Sequence, residues 1–129
     1  MTNSTGKTVL VVDDEPDMLE IFRLRLTSLG HKVILTSNGQ EAWEKIQKIV
    51  PDIIISDVVM PVMDGFKFYK LLKSNNVSKN IPVLILTARG KMEDSFQVMG
   101  ADAFIAKPFE LEDLISKVNT LLTRSDVKI

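Results

Sequence analysis

The sequence predicts a doubly wound α/β domain, in which one parallel five-stranded sheet is flanked by five helices on its two faces. Two observations support this fold class. Short apolar runs of strand length alternate with segments of helical period along the chain. Five such strand–helix units use nearly all of the 129 residues, so a single domain is expected. We expect a mobile N-terminal tail at 1–7, the domain at 8–123 and a C-terminal tail at 124–129.

The first strand–helix unit is bounded by a proline and a glycine. An apolar run at 8–12 precedes a helix that begins near Pro16, a residue suited to a first helical turn, and ends at Gly30. Its inward side chains recur at steps of three, four and three residues: Leu19, Phe22, Leu26 and Leu29.

The second and third units follow the same pattern. The second strand is predicted at 32–36, and its helix runs from about 40 to 49, before Pro51. The inward side chains of that helix are expected to be Ala42, Ile46 and Ile49. The third unit combines a strand at 52–56 with a helix at 66–74 that ends in a polar stretch.

The last two units differ in the strength of their helices. The fourth has a strand at 82–87 and a helix at 91–99 with a thin apolar face, so this helix is expected to be the least firmly docked. The fifth has a strand at 103–106 and a strongly amphipathic helix at 110–122. The apolar side chains of that last helix are Leu111, Leu114, Ile115, Val118, Leu121 and Leu122.

Charge and composition exclude several classes of protein. With 16 basic and 17 acidic residues the net charge is −1, so no broad field attracts nucleic acid or an anionic membrane. The absence of cysteine excludes disulfides and thiolate metal sites, and fits a reducing compartment. We expect neither a signal peptide nor a membrane span in the N-terminal residues. We therefore expect a cytoplasmic protein that by itself binds neither nucleic acid nor membrane.

Three carboxylates stand where two predicted strands end. Asp13 and Asp14 follow the first strand, and Asp57 follows the third. If these strands are neighbours, each pair of like charges about 5 Å apart costs on the order of 3 kcal/mol at an effective dielectric of roughly 20. Mg²⁺ is the simplest cation to offset that repulsion, and it leaves Asp57 free to act on a phosphoryl group. Thr87 and Lys107 are expected at the same edge of the sheet, where ligands of open α/β sheets bind.

Four motifs in order, each at the end of a predicted strand, resemble the receiver domain of two-component response regulators. They are Val-Asp-Asp-Glu at 12–15, Asp-Val-Val-Met-Pro-Val-Met-Asp-Gly at 57–65, Leu-Thr-Ala at 86–88 and Ala-Lys-Pro-Phe at 106–109. The resemblance spans residues 8–123. It implies the flavodoxin-like strand order 2-1-3-4-5, which is described for CheY, a member of this family.

The resemblance also implies roles for individual residues. Asp57 is the expected phosphoacceptor, with Mg²⁺ bound by Asp14, Asp57 and the backbone carbonyl of Val59, and by Asp13 mostly through water. Lys107 is expected to neutralise charge on the phosphoryl oxygens.

Two further residues are expected to form a switch. The hydroxyl of Thr87 would bind a phosphoryl oxygen in one state only, and Phe104 would swing inward when that hydroxyl moves.

The leading hypothesis is a phosphorylation-dependent signalling switch. The phosphoryl donor would be a sensor histidine kinase, a phosphotransfer protein or a small phosphodonor. Phosphorylation would change the surface formed by helix 91–99, strand 103–106 and helix 110–122, which an unknown downstream partner would bind. The chain would lose its phosphoryl group slowly by its own weak activity. We expect a single-domain regulator that is a monomer before phosphorylation.

Two other classes of protein are alternatives to this hypothesis. A pseudo-receiver binds partners without phosphorylation and tolerates loss of an acidic-pair residue or of Lys107, yet all are present here. A Mg²⁺-dependent phosphohydrolase of the aspartyl-phosphate type carries a second acid two positions after its nucleophile. That position is Val59.

Four local expectations complete the analysis. The Lys107–Pro108 peptide bond is predicted to be cis. Replacing Asp13 or Asp57 by Asn is expected to stabilise the metal-free fold. His31 is read as a surface residue without a catalytic role. A long-lived phosphorylated state is predicted, because Val59 cannot orient a water and Arg89 could shield the phosphoryl oxygens. Val59 lies two residues after Asp57, and Arg89 lies two residues after Thr87.

Overall fold

The structure is a computed structural model that describes residues 6–57, 65–88 and 102–126. One five-stranded parallel sheet forms its centre, in the order β2-β1-β3-β4-β5. The strands are β1 (Thr8–Val12), β2 (Lys32–Thr36), β3 (Ile53–Asp57), β4 (Val83–Ala88) and β5 (Ala103–Lys107). All five predicted strands are confirmed to within one residue at each end, as is the predicted order.

Four helices lie within the described ranges. They are α1 (Pro16–Ser28), α2 (Gly39–Ile46), α3 (Gly65–Lys73) and α4 (Leu111–Asp126). The helix predicted at 91–99 lies outside the described residues. None of the described helices has the length and apolar character that crossing a lipid bilayer requires.

Two apolar layers cover the sheet, and alternate residues of each strand contribute to one or the other. In β1, Val9 and Val11 belong to the layer under α1 and α4, whereas Leu10 and Val12 belong to the layer under α2 and α3. These four side chains are at most 1% exposed. Since burying one such side chain stabilises by about 1.5–3 kcal/mol, the continuous apolar runs of the sequence hold both helical layers on the sheet.

The layer under α1 and α4 confirms the periodicity of both helices. Phe22 and Leu26 of α1 are fully buried, and Leu19 and Leu29 pack against them in part. The buried side chains of α4 are Leu114, Ile115, Val118, Leu121 and Leu122. The predicted apolar faces of these two helices are therefore correct.

Two expectations about burial are wrong. Ile49 is 42% exposed, because α2 ends at Ile46 and a tightened turn, with the Lys48 amide bonded to the Lys45 carbonyl, carries the chain off the helical face. His31, expected on the surface, is only 5% exposed. Gly30 adopts the left-handed conformation that ends α1, with φ 93°, and the His31 amide donates to the Leu26 carbonyl, which folds His31 under the helix.

The start of the described chain is hydrogen-bonded to the end of the first strand–helix unit and to the start of β2. The Gly6 amide donates to the Gly30 carbonyl at 3.0 Å, and the Lys7 carbonyl accepts from the Lys32 amide at 2.8 Å. The division into two tails and one domain stays a prediction.

Register brings the polar strand ends to one edge of the sheet. Val12 of β1 lies opposite both Thr36 of β2 and Ser56 of β3. The residue after each of Val12 and Ser56 is an aspartate, so Asp13 and Asp57 emerge side by side. On the other side of β3, Ala88 of β4 pairs with Lys107 of β5, so the lysine ends its strand at the same edge.

Candidate functional site

Three aspartates form an acidic cluster at this edge of the sheet. Asp13, Asp14 and Asp57 each place one carboxylate oxygen within 4.8 Å of the others. Asp13 and Asp57 are buried and Asp14 is exposed, so the cluster opens to solvent on one side. The sequence prediction that these three side chains meet is confirmed.

Asp13 is the most constrained member of the cluster. Its Oδ1 accepts a hydrogen bond of 2.9 Å from the Glu15 amide, whereas its buried Oδ2 has no hydrogen-bond partner among the described residues. Burial raises the pKa of the Asp13 carboxyl, and the charges of Asp57 and Glu15 add to the rise, although the Glu15 amide and Lys107 oppose it. A buried carboxylate oxygen without a hydrogen bond is costly unless a cation or an ordered water satisfies it.

The cluster fits a hard divalent cation. Its donors are all carboxylate oxygens, which Mg²⁺ prefers, and Asp13 also carries a buried Oδ2 without a hydrogen-bond partner among the described residues. A bound cation would offset both the burial of Asp13 and the mutual repulsion of the three charges.

Lys107 brings a positive charge into contact with both buried aspartates of the cluster. Its Nζ donates to Asp57 Oδ2 at 3.0 Å and lies 3.6 Å from Asp13 Oδ2 and 3.5 Å from Glu15 Oε1. Burial by itself lowers the pKa of Lys107, but the bond to Asp57 and the charges of the three carboxylates outweigh it, and the pKa is raised. Lys107 is therefore held in its charged form.

The segment after Lys107 is held by the helix that follows β1. The Lys107–Pro108 bond is cis, as the sequence predicts. The Phe109 ring then stacks on Phe22 of α1 at 6.4 Å between ring centroids, with an interplanar angle of 8°. The aromatic pair joins the end of β5 to the helix whose first turn adjoins the acidic cluster.

Thr87 and Phe104 lie on one face of neighbouring strands. Thr87 pairs with Ala106, and Phe104 pairs with Ile85, so the two side chains are diagonal neighbours on the side of the sheet that α2 and α3 cover. Thr87 is 1% exposed, and Phe104 is partly buried against the apolar layer. Val59 and Arg89 lie outside the described residues.

Sequence reasoning missed Glu15. It was quoted within the first motif but given no role, and the structure places its carboxylate on Lys107. Its position next to the acidic pair and at the start of α1 was the available signal.

Comparison with known proteins agrees with this geometry. The family model of the response regulator receiver domain matches residues 9–119. Among curated proteins, the response regulator Rre1 of Synechocystis sp. is 40% identical over 120 residues, a match that covers 91% of this chain and 52% of Rre1. This chain spans about half the length of the curated relatives it matches.

Solved structures give the same picture. The chemotaxis response regulator CheY4 of Vibrio cholerae is 35% identical with a TM-score of 0.83, and the match covers 91% of this chain and 99% of CheY4. The response regulator TrrA of Thermotoga maritima, solved in complex with Mg²⁺–BeF, is 30% identical with a TM-score of 0.80, covering 89% and 98%.

The fold and the acidic edge define a signalling module with the receiver architecture. The chain belongs to the response regulator receiver domain family. Its cluster of Asp13 and Asp57 fits the phosphorylation site of such a domain, which is consistent with a phosphorylation-dependent signalling switch.

Proposed function

We propose that Asp57 accepts a phosphoryl group from the phosphohistidine of a sensor histidine kinase or phosphotransfer protein, or from a small phosphodonor. The observation that carries the proposal is the position of Asp57 at the end of β3, where its carboxylate belongs to the acidic cluster and its Oδ2 accepts a hydrogen bond of 3.0 Å from the Lys107 ammonium. Of the described carboxylates that contact Lys107, Asp57 makes the shortest contact.

The residues of this chain suit in-line transfer. A carboxylate oxygen of Asp57 attacks phosphorus, the bond from phosphorus to the donor breaks with its electron pair going to the donor, and an acyl phosphate forms. Lys107 moves from the carboxylate to a phosphoryl oxygen and neutralises charge there. Asp14, Asp57 and the backbone carbonyl of Val59 would hold Mg²⁺, with Asp13 acting through water. The ion would neutralise charge on the remaining phosphoryl oxygens.

The output is proposed to pass through Thr87 and Phe104. Their placement on one face, diagonal to each other, supports a coupled movement in which the hydroxyl turns toward the phosphoryl group and the aromatic ring follows. That movement would reshape the surface of β5, α4 and the segment 91–99 for a downstream protein partner. We place this switch in the cytoplasm, with a monomeric resting state.

The phosphorylated state is proposed to last long. Hydrolysis needs a water in line behind the phosphorus, and Val59 can neither orient that water nor take its proton. The chain would thus have only a weak activity against its own acyl phosphate, which returns the Asp57 carboxylate and inorganic phosphate.

Two alternatives are less well supported. A pseudo-receiver has no need of an ammonium in contact with the phosphoacceptor, whereas Lys107 bonds Asp57 directly. A phosphohydrolase needs an acid at position 59, where the sequence has Val.

Intact-mass analysis with acetyl phosphate tests the proposal. Wild type should gain one phosphoryl increment in the presence of Mg²⁺, and Asp57→Asn should gain none. Asp17→Asn, which removes an exposed carboxylate in the first turn of α1, serves as the matched control and should behave as wild type.

Three outcomes would overturn it. Equal labelling of Asp57→Asn at the wild-type rate would show that another group is the acceptor. If wild type accepts a phosphoryl group neither from acetyl phosphate nor from a panel of phosphorylated histidine kinases, the pseudo-receiver would be supported. Repeated turnover of a phosphomonoester would support the phosphohydrolase.

A further inference from the structure

Glu15 shares the ammonium that the phosphoryl group needs. Lys107 Nζ has three carboxylate partners in the described part of the chain, and Glu15, at 3.5 Å, is about as close as Asp13, at 3.6 Å. Asp57 is closer, at 3.0 Å. Unlike the two aspartates, Glu15 is not a member of the acidic cluster, and its side chain is 62% exposed.

The Glu15 side chain has no structural task that explains this contact. Glu15 is the N-cap residue of α1, but its side chain makes no capping hydrogen bond. Its backbone amide, not its carboxylate, holds Asp13 Oδ1. The side chain instead reaches across the mouth of the site to the end of β5, with a separation of 92 residues along the chain.

Phosphorylation changes the demand on Lys107. The acyl phosphate carries about one more negative charge than the free carboxylate. Lys107 must then follow the phosphoryl oxygens, while the Glu15 carboxylate attracts the same ammonium and repels the incoming anion. Both effects oppose phosphorylation, and the first depends on the contact between Glu15 and Lys107.

We infer that Glu15 is a positioning residue that competes with the phosphoryl group for Lys107 and so slows phosphorylation of Asp57. The inference rests on the proposed function of Asp57. The contact is exposed, so the competition is moderate and sensitive to salt.

Glu15→Gln tests the inference with little change of shape. With acetyl phosphate at saturating Mg²⁺ and low salt, we expect a rate about three times that of wild type, the effect of removing a like charge roughly 6 Å away in water-like surroundings. Raising the salt concentration should accelerate wild type more than the variant, and so narrow the difference. The matched control is Asp17→Asn, which removes the same charge from the same end of α1 without contacting Lys107.

A second measurement reads the contact without phosphorylation. In the metal-free protein, the ¹⁵N resonance of the Lys107 Nζ group should shift in Glu15→Gln and stay in place in Asp17→Asn. A merely structural role for Glu15 would not move this resonance selectively, and thermal melting will show that both variants are folded.

The outcomes separate this inference from the proposed function. If wild type is phosphorylated on Asp57 but Glu15→Gln is no faster than Asp17→Asn, the inference is overturned and the proposed function stands. An unchanged Nζ resonance in Glu15→Gln would also overturn it. If wild type is not phosphorylated at all, the proposed function fails first.

Discussion

At the scale of single residues, the site consists of buried negative charge that the protein only partly compensates. The Lys107 ammonium lies 3.0 Å from the Oδ2 of Asp57 but 3.6 Å from the Oδ2 of Asp13, which has no hydrogen bond within the described part of the chain. Asp57 thus has a neutralising partner at short range, and Asp13 is the less compensated of the two buried carboxylates. Among the residues of the site, replacement of Asp13 should therefore give the clearest change in the free energy of unfolding.

Asp13→Asn is expected to stabilise the metal-free protein by about 1 kcal/mol at neutral pH, since it removes a poorly compensated buried charge. The pKa of Asp13 is raised in the folded protein above its ordinary value of 3.8. At a pH between these two pKa values, the folded state therefore binds more protons than the unfolded state. The contribution of Asp13 to stability is hence lost as pH rises through this window. The advantage of the Asn variant should shrink as pH falls toward 3.8.

Urea unfolding in the presence of a chelator measures this difference. Asp17→Asn, an exposed control at a helix N-terminus, should be neutral or slightly destabilising. A stability of Asp13→Asn equal to or below wild type at neutral pH would show that the carboxylates are not crowded.

The residues of the site were largely predictable, whereas the contact between Glu15 and Lys107 was not. Asp13, Asp14, Asp57 and Lys107 were found because polar residues that end apolar runs must collect at one edge of a parallel sheet. The Glu15 contact depends on where two long, flexible side chains meet across the fold. Sequence spacing carries no information about that distance.

At the scale of elements, the start of β2 holds a buried titratable group. His31 is 5% exposed, and its Nδ1 has no hydrogen-bond partner in the ranges that the structure describes. The charges of Asp52 and Lys7 act on its imidazole. Burial lowers the pKa of His31, the nearby Lys7 lowers it further, and Asp52 opposes both. The Asp52 carboxylate also accepts from the Thr8 amide at 2.8 Å, so this corner joins β1, β2 and β3.

Acidification is therefore expected to weaken this corner of the sheet. Because the folded pKa of His31 lies below the ordinary value of 6.5, the unfolded state binds more protons there, and stability is lost as pH falls from about 6.5 through the folded value. One proton can change the free energy of unfolding by at most about 1.4 kcal/mol per pH unit. The chain has a single histidine, so His31→Gln should remove the dependence.

Unfolding experiments between about pH 7.5 and 5.5 will compare the two proteins. An equal loss of stability in His31→Gln and wild type would contradict the assignment.

The elements also show where sequence patterns mislead. The strands were placed well because runs such as 53–55 are apolar and buried on both faces. His31 was misread because a polar residue at a strand start is usually exposed, whereas here the left-handed Gly30 turns the chain beneath α1. Ile49 was misread because helical periodicity was extended past Ile46, beyond the last residue of α2. In both cases, the geometry of a helix end determined burial.

At the scale of the whole molecule, the acidic cluster joins parts that are distant in sequence. Asp13 follows the central strand β1, Asp57 ends β3, and Lys107 ends β5, so the site exists only when the sheet is assembled. The apolar layers on both faces share those strands. A ligand of the cluster consequently binds the folded chain and not the unfolded chain, which links its binding to global stability.

Mg²⁺ is therefore expected to raise the melting temperature of wild type. At ten times its dissociation constant, a ligand specific to the folded state stabilises by about 1.4 kcal/mol, which for a domain of this size corresponds to a shift of roughly 4 °C. Asp14→Asn removes an exposed carboxylate of the cluster and should lose most of this shift, whereas Asp17→Asn should keep it. Calorimetry with NaCl at matched ionic strength separates binding from charge screening. If NaCl reproduces the shift, or if Asp14→Asn retains it in full, the cluster is not a magnesium site.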